Sequence, residues 1–185
     1  MPSELLTGGD FSADERDALL RYKVDSAELN FALRTLDNLS QWQSEIQLLD
    51  DALTKKKSSK PVRLYRATDL SRISISGGSN MFSEVGFMST ALRIHRLGDH
   101  FRHQDNPVLL VIDCLQESAM TYLEFGNTGE SEDEILLPRD SQFQVWKILQ
   151  VDDQRKIQRA TRTSSFYTQY WSVLHIYYTR LVIVQ

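Results

Sequence analysis

Two glutamates separated by one residue form a pair that could do chemistry. Glu132 and Glu134 lie in the acidic segment 129–138, which runs directly into an apolar stretch. If a strand already begins at Glu132, alternation places both carboxylates on one face and directs Asp133 away from it. Carboxylates held close together repel, which raises the pKa of one member of such a pair and suits it to acid–base or charge-stabilising work. A solvated acidic turn explains the same residues equally well, whereas a calcium loop needs a central glycine and alternating acidic ligands that are missing here.

Two polar residues upstream also interrupt apolar patterns. Arg66 shares one face of an alternating segment with Val62 and Leu64. A guanidinium buried there alone would be costly, so it must be paired or must reach into a cleft. A structural salt bridge, or a strand end in water, accounts for Arg66 as well. Ser89 places a hydroxyl in the apolar row of residues 87–91, although serines are also common on edge strands.

The scaffold that positions these residues is predicted to start with helices and to continue with strands. Ser12 followed by Glu15 is a capping box that predicts a helix start. Two more helices are predicted from apolar stripes, formed by Leu29, Ala32, Leu33, Leu36 and Leu39 and by Trp42, Ile46, Leu49 and Leu53. The lysine-rich segment 55–61 should be an exposed basic turn. Strands are predicted at 62–66, 86–92, 107–114, 134–137, 143–151 and 172–184, and helices before strands indicate an α+β fold with mainly antiparallel sheets.

The composition excludes several function classes. A chain of 185 residues, 41% hydrophobic and 25% charged, fits one folded domain, 1–185, and its net charge of -4 argues against dedicated nucleic-acid binding. One cysteine, Cys114, permits neither an intrachain disulfide nor a cysteine zinc site. His95, His100 and His103 are not spaced as a helical zinc pair, so no metal is expected. The N-terminus lacks the apolar core of a Sec signal peptide, and the apolar run 177–184 is too short to span a membrane.

Read in order, the three polar features resemble the R-S-E signature of the cholera-toxin-like mono-ADP-ribosyltransferases, a family of bacterial toxins and effectors. The matching segments are 64–66 (LYR), 86–91 (GFMSTA) and 132–138 (EDEILLP). Similarity continues upstream at Tyr22 and 29–34 and downstream at 137–145, so it covers nearly the whole chain. The resemblance implies a helical lobe at 1–60 followed by a β-sandwich core at 61–185, whose two packed, mainly antiparallel sheets form an NAD cleft.

The same resemblance assigns a role to each motif residue. Arg66 would hold an NAD phosphate, and Ser89 would steady the catalytic glutamate, with Thr90 supporting the strand. Glu134 would hold the ribose next to nicotinamide and stabilise positive charge as nicotinamide leaves. Glu132 would orient and help to deprotonate the acceptor; in this family glutamate at that position accompanies arginine acceptors, and glutamine accompanies asparagine or cysteine.

Further contacts to NAD are expected from the loop after the serine motif and from the residue after the arginine. Phe101 is a candidate for stacking on nicotinamide. Candidates for touching phosphate are Arg93, Arg96 and Arg102. Two positions depart from the family pattern: Ala67 stands where glycine is usual and its backbone would bind the nicotinamide amide, and Ala91 replaces a frequent serine.

The expected function is transfer of ADP-ribose from NAD to an arginine of a target protein, with release of nicotinamide. An NAD glycohydrolase and a catalytically degenerate member that only binds a partner protein are the alternatives. The expected partners are NAD, the target protein and an inhibitory immunity protein. A chain of this size suggests a bare catalytic domain, secreted or injected as an effector that acts in the cytoplasm of a target cell.

Overall fold

The computed structural model describes residues 4–73, 75–76, 80–97, 105–123, 133–150 and 173–178; of 75–76, 146–150 and 173–178 only the backbone is described. The chain forms two compact units. Unit 1 takes residues from 1–61, 84–90 and 116–141, and unit 2 takes residues from 62–83, 91–115 and 142–185. Each unit is therefore assembled from segments that lie far apart in the sequence.

The described helices are α1 (Ala13–Val24), α2 (Ala27–Thr35) and α3 (Gln43–Lys55), with short 3-10 turns at Leu39–Trp42, Leu70–Arg72 and Ile94–Leu97. The described strands are β1 (Leu6–Gly8), β2 (Lys56–Ser58), β3 (Val62–Asp69), β4 (Ile75–Ser76), β5 (Met81–Glu84), β6 (Met88–Ala91), β7 (Pro107–Cys114), β8 (Thr121–Tyr122), β9 (Glu134–Leu137), β10 (Ser141–Gln150) and β11 (Val173–Tyr178).

The start of α1 is the predicted capping box. The Ser12 hydroxyl accepts the Glu15 N–H at 3.2 Å, and the Glu15 carboxylate accepts the Ser12 N–H at 2.7 Å. The predicted stripe of α2 is wrong at Leu36. This residue caps the helix in a left-handed conformation, φ 65, and is 71% exposed. The helix has already ended, so helical spacing no longer places that side chain on the apolar face.

Unit 1 has a core in which α1, α2 and α3 pack on residues from later segments. Leu19 and Leu49 are fully buried, and burying a side chain of this size contributes about 1.5–3 kcal/mol. The buried core consists of Ala18, Leu19, Tyr22, Leu29, Leu33, Ile46, Leu49, Ala52, Leu53, Phe87, Leu123 and Leu136. The last three residues tie β6, β8 and β9 to the helices.

The first part of the lysine-rich segment 55–61 is a strand, so the prediction of a turn is wrong at Lys56–Ser58, whereas Lys57, Lys60 and Pro61 are exposed as predicted. β2 pairs antiparallel with β1, and Ser58 is fully buried. Gly8 has φ +132, and a Cβ there would lie 1.8 Å from the Lys55 carbonyl oxygen. The close approach of β1 to the end of α3 thus requires glycine at this position.

Unit 2 is built on paired strands in the order β4-β5-β10-β11-β7-β3. β3 pairs antiparallel with β7 along its whole length, from Val62 opposite Cys114 to Asp69 opposite Pro107. Residues 108–114 are all buried, which confirms the prediction of a strand covered on both faces. β10 and β11 run parallel, and the register between them shifts near Val145.

The strands of unit 1 lie in the order β6-β9-β8, with Thr121 opposite Leu136. Helices at the start, followed by strands that pair mainly antiparallel, confirm the α+β prediction. The organisation as one domain with a lobe boundary at residue 60 stays a prediction. Among the described residues, no helix is both long and apolar enough to cross a membrane.

Candidate active site

Arg66 lies on β3 at a position where the strand pattern calls for an apolar side chain. It shares its face with Leu64 and Thr68, which are both buried, and Leu110 of β7 stands opposite it. Arg66 itself is half-buried. The Arg66 guanidinium is thus partly enclosed within unit 2. It is a planar cation with five N–H donors, a group suited to binding phosphate.

The other face of β3 carries a structural ion pair. Arg63 Nε lies 2.5 Å from Asp113 Oδ1, and Arg63 Nη2 lies 2.7 Å from Asp113 Oδ2. The two side chains are 12% and 7% exposed. Burial raises the pKa of the neighbouring Tyr65, which keeps its phenol neutral. This strand therefore carries a structural salt bridge at Arg63.

Ser89 and Thr90 lie on β6 and point to opposite sides because side chains alternate along a strand. Thr90 is buried, and its hydroxyl donates a hydrogen bond of 2.7 Å to the Ile135 carbonyl of β9. Ser89 is half-buried. Thr90 thus fastens the strand of Ser89 to the strand that begins with Glu134, as a supporting residue would.

The beginning of β6 is held by the helices through a buried amide and a phenol. The Tyr22 hydroxyl donates to the Phe87 carbonyl at 3.1 Å, and Asn30 Nδ2 donates to the Tyr22 oxygen at 2.9 Å. Asn30 is 7% exposed, and among the described residues its Oδ1 has no hydrogen-bond partner. The Tyr22 and Asn30 side chains thus link α1 and α2 to the segment that leads to Ser89.

A second set of contacts fixes the residues just before β6. Glu84 is buried and accepts hydrogen bonds from Arg34 Nε at 3.0 Å and from the Gly86 N–H at 2.9 Å. A Cβ on Gly86 would lie 2.6 Å from Asn30 Oδ1, so only glycine lets this segment approach α2 so closely. Asn30, Arg34 and Gly86 lie in the matching segments 29–34 and 86–91, but no role was predicted for them or for Glu84. The signal was an asparagine and an arginine one helical turn apart on α2.

Glu134 is the first residue of β9 and is half-buried. Its carbonyl accepts the Leu123 N–H at 3.0 Å. Asp133 is 6% exposed and adopts a positive φ of 49. The strand therefore does not begin at Glu132, and the argument that strand alternation places Glu132 and Glu134 on one face does not apply. Glu132 itself lies outside the described residues.

The other predicted positions divide between described and undescribed segments. Ala67 is half-buried on β3, Arg93 is exposed, and Arg96 is half-buried in the turn Ile94–Leu97 together with the exposed His95. The residues that lie outside the described segments are Phe101, Arg102, His100 and His103. The structure places Ser89, Thr90 and Glu134 together in unit 1 and places Arg66 and Ala67 in unit 2. Within the described residues, no group of three or more histidine, cysteine, aspartate or glutamate side chains could hold a metal ion.

Comparison with known proteins decides the family. The family model described as "ADP-ribosyltransferase exoenzyme" matches residues 3–165. The chain belongs to the ADP-ribosyltransferase exoenzyme family. No curated protein matches it significantly.

Solved structures of bacterial toxins share the fold. Plx2a, an ADP-ribosyltransferase toxin from Paenibacillus larvae, is 20% identical with a TM-score of 0.64, over 92% of this chain and 87% of that one. C3stau2 from S. aureus, solved with NAD, is 17% identical with a TM-score of 0.66, over 93% and 89%. The C3 exoenzyme of Clostridium limosum is 17% identical with a TM-score of 0.60, over 92% and 87%. The predicted toxin-type ADP-ribosyltransferase fold is confirmed.

Family membership makes the chain an NAD-dependent ADP-ribosyltransferase, and NAD is its substrate. The roles that the R-S-E resemblance gives to Arg66, Ser89 and Glu134 stay predictions; each of these side chains is half-buried in its own unit.

Proposed function

We propose that the protein transfers ADP-ribose from NAD to an arginine side chain of a target protein and releases nicotinamide. The observation that carries the proposal is Glu134, which stands at the start of a firmly held strand and is preceded two residues earlier by a glutamate, Glu132. The R-S-E resemblance pairs glutamate at that position with arginine acceptors.

The donor half of the reaction is assigned to Arg66, Ser89 and Glu134. Arg66 binds a phosphate of NAD through its planar donors. Glu134 faces the ribose whose bond to nicotinamide breaks. Positive charge grows on that ribose in the transition state, as it does in glycoside cleavage, and a fixed carboxylate stabilises it. Ser89 hydrogen-bonds within the site and keeps the Glu134 carboxylate in place.

The acceptor half is assigned to Glu132. An arginine side chain is charged at neutral pH, because its pKa exceeds about 12, and the charged form is a poor nucleophile. A carboxylate beside it orients the guanidinium and takes a proton as the new bond forms. The bond between ribose C1′ and the nicotinamide nitrogen breaks, with its electron pair going to the pyridinium ring. The bond between C1′ and an arginine nitrogen forms, and the released proton goes to Glu132.

Substitution of Glu132 separates transfer from NAD cleavage. In Glu132→Gln, labelling of arginine acceptors from labelled NAD should be lost while nicotinamide release largely survives, because only the acceptor-side base is removed. In Glu134→Gln both activities should fall together. Glu28→Gln, which removes an exposed carboxylate from α2, is the matched control and should change neither activity.

The outcomes also distinguish the other two functions. Nicotinamide release by the wild-type protein without any labelled acceptor identifies an NAD glycohydrolase. Neither release nor labelling identifies a member that only binds a partner protein. Equal loss of both activities in Glu132→Gln contradicts the role given to Glu132.

The biological setting proposed from the exoenzyme family is that of a secreted or injected effector acting in the cytoplasm of a target cell. Its partners are then a target protein that carries the acceptor arginine and an immunity protein in the producing cell. Mass spectrometry of lysate proteins after incubation with NAD names the target and its modified side chain. Modification of asparagine or cysteine in that experiment contradicts the arginine assignment.

A further inference from the structure

A carboxylate is buried at the start of the turn that leads to β6. Glu84 is the last residue of β5 and is 8% exposed. Burying a charged group is costly unless hydrogen-bonded partners surround it. Here a single carboxylate oxygen, Glu84 Oε1, accepts hydrogen bonds from Arg34 Nε at 3.0 Å and from the Gly86 N–H at 2.9 Å. One oxygen atom thus joins a side chain of α2 to the backbone of the turn.

The chain after this turn leads within three residues to Ser89. The Phe87 carbonyl accepts the Tyr22 hydroxyl at 3.1 Å, and Met88 is fully buried. Of residues 86–90, Ser89 alone is not buried. All of these residues belong to unit 1. Close-packed surroundings transmit a displacement instead of absorbing it, so a shift at Gly86 reaches Ser89.

Gly86 needs a constraint from outside itself, because glycine adopts more backbone conformations than other residues. The hydrogen bond from its N–H to Glu84 supplies that constraint. We propose that Glu84 is a positioning residue, which fixes the turn against α2 and so places the Ser89 hydroxyl that keeps the Glu134 carboxylate in place during nicotinamide release. The inference rests on the proposed function, in which Ser89 serves Glu134.

The first test compares two substitutions of Glu84 by the kinetics of nicotinamide release. Glu84→Gln keeps an oxygen that can accept both hydrogen bonds, so kcat should stay within about threefold of wild type. Glu84→Ala removes that oxygen, and kcat should fall about tenfold or more, because a misplacement of about 1 Å in an active site can cost about 100-fold. KM for NAD should change less than about threefold, because the lost contribution is one made in the transition state.

The second test asks whether Glu84 acts through Ser89. In the Ser89→Ala background the hydroxyl to be positioned is already gone, so adding Glu84→Ala should lower kcat by less than about threefold. A merely structural contribution of Glu84 would lower kcat by the same factor in both backgrounds. An equal fall in the presence and absence of the Ser89 hydroxyl therefore overturns the inference.

The fold supplies a matched control at Glu15, another buried carboxylate of unit 1. Glu15 is 6% exposed and accepts the Ser12 N–H at 2.7 Å and Lys55 Nζ at 2.7 Å. Glu15→Ala should lower the melting temperature and leave kcat within about threefold of wild type, because its contacts lie at the start of α1. Equal losses of kcat in Glu15→Ala and Glu84→Ala overturn the inference.

A second variant keeps the test decisive if Glu84→Ala does not fold. Glu84→Asp retains the charge but is one methylene too short to hold both partners, so kcat should again fall in the wild-type background and not in Ser89→Ala. A kcat of Glu84→Asp equal to that of wild type overturns the inference.

This inference and the proposed function fail in different ways. If Ser89→Ala loses nicotinamide release while Glu84→Ala retains it, only the positioning role of Glu84 is overturned. If the wild-type protein releases no nicotinamide, or if Ser89→Ala releases it as fast as wild type, the role proposed for Ser89 is overturned and this inference with it.

Discussion

Replacing Gly86 by alanine should destabilise unit 1, because the new Cβ has no room. That atom would lie 2.6 Å from Asn30 Oδ1 and 3.2 Å from Arg34 Nη2. Arg34 Nη2 is the far end of a long side chain that is 30% exposed. Asn30 is 7% exposed, and its Nδ2 holds the Tyr22 hydroxyl at 2.9 Å. The variant must therefore displace the Asn30 amide and break that hydrogen bond.

The size of the effect follows from three contributions. The lost hydrogen bond costs about 1 kcal/mol, and overpacking costs about 1–3 kcal/mol. Alanine restricts the unfolded chain more than glycine does, which offsets about 0.4–1 kcal/mol. The free energy of unfolding should thus fall by about 2 kcal/mol. Urea titration followed by circular dichroism and tryptophan fluorescence measures it.

A double-mutant cycle tests whether Asn30 is the cause. Asn30→Ala alone should cost about 1–3 kcal/mol, because it removes a buried hydrogen bond. It also opens the space that the alanine at position 86 needs. The double variant should then be more stable than the sum of the single effects predicts, by about 1–3 kcal/mol. Additivity within about 0.5 kcal/mol would refute the close contact between Gly86 and Asn30.

Three further predictions concern hydrogen bonds and charges. Thr90→Val keeps the side-chain shape but removes the 2.7 Å hydrogen bond to the Ile135 carbonyl. The free energy of unfolding from urea titration should therefore fall by about 1–3 kcal/mol. An unchanged midpoint of the urea titration contradicts this prediction. Asp113→Ala removes the carboxylate that pairs with Arg63, whose side chain is only 12% exposed. The free energy of unfolding should fall by about 3–5 kcal/mol, and Asp113→Asn should recover part of that loss. Equal losses in the two variants contradict this prediction. Burial opposes ionisation of Glu15, but the lysine and the N-cap amide that contact its carboxylate hold its pKa below the ordinary value of 4.5. Its contribution to stability is therefore present above that pH and lost as the pH falls, so Glu15→Gln should be less stable at neutral pH and decline less on acidification in thermal melts.

Local sequence patterns predicted two of the strands together with their bounds. β7 and β9 have the predicted bounds, Pro107–Cys114 and Glu134–Leu137. A short apolar run between turn residues has few alternatives to a buried strand. The capping box at Ser12 succeeded for a similar reason, because its two hydrogen bonds join residues only three apart. Interactions between residues close together in the sequence can thus be predicted from local patterns.

Pairing between distant segments could not be read in the same way. Three lysines in succession indicate an exposed turn, yet β2 is a strand because β1, from the other end of the helical segment, pairs with it. The contact of Gly86 with Asn30 joins residues that lie 56 positions apart in the sequence. No spacing rule reports such a contact.

The roles assigned to the candidate site residues stay predictions, and the structure tests only part of their geometry. Arg66 stands on the expected face of β3, and Thr90 supports β6. The strand start at Glu132, by contrast, was an assumption about backbone conformation, and Asp133 breaks it with its positive φ. Aspartate is one of the few residues besides glycine that adopt a positive φ. The sequence is therefore compatible with this conformation but does not predict it.

The discontinuous make-up of unit 1 has a consequence for how the protein is made. The helices of residues 13–55 emerge from the ribosome first, but Phe87, Leu123 and Leu136 complete their core. Until Leu136 has been synthesised, the apolar faces of the helices are not fully covered, and structure that depends on distant contacts forms late. Glu134 belongs to the same strand as Leu136, β9. A translation product that stops before Glu134 therefore lacks the finished helical core and the proposed donor-side glutamate together.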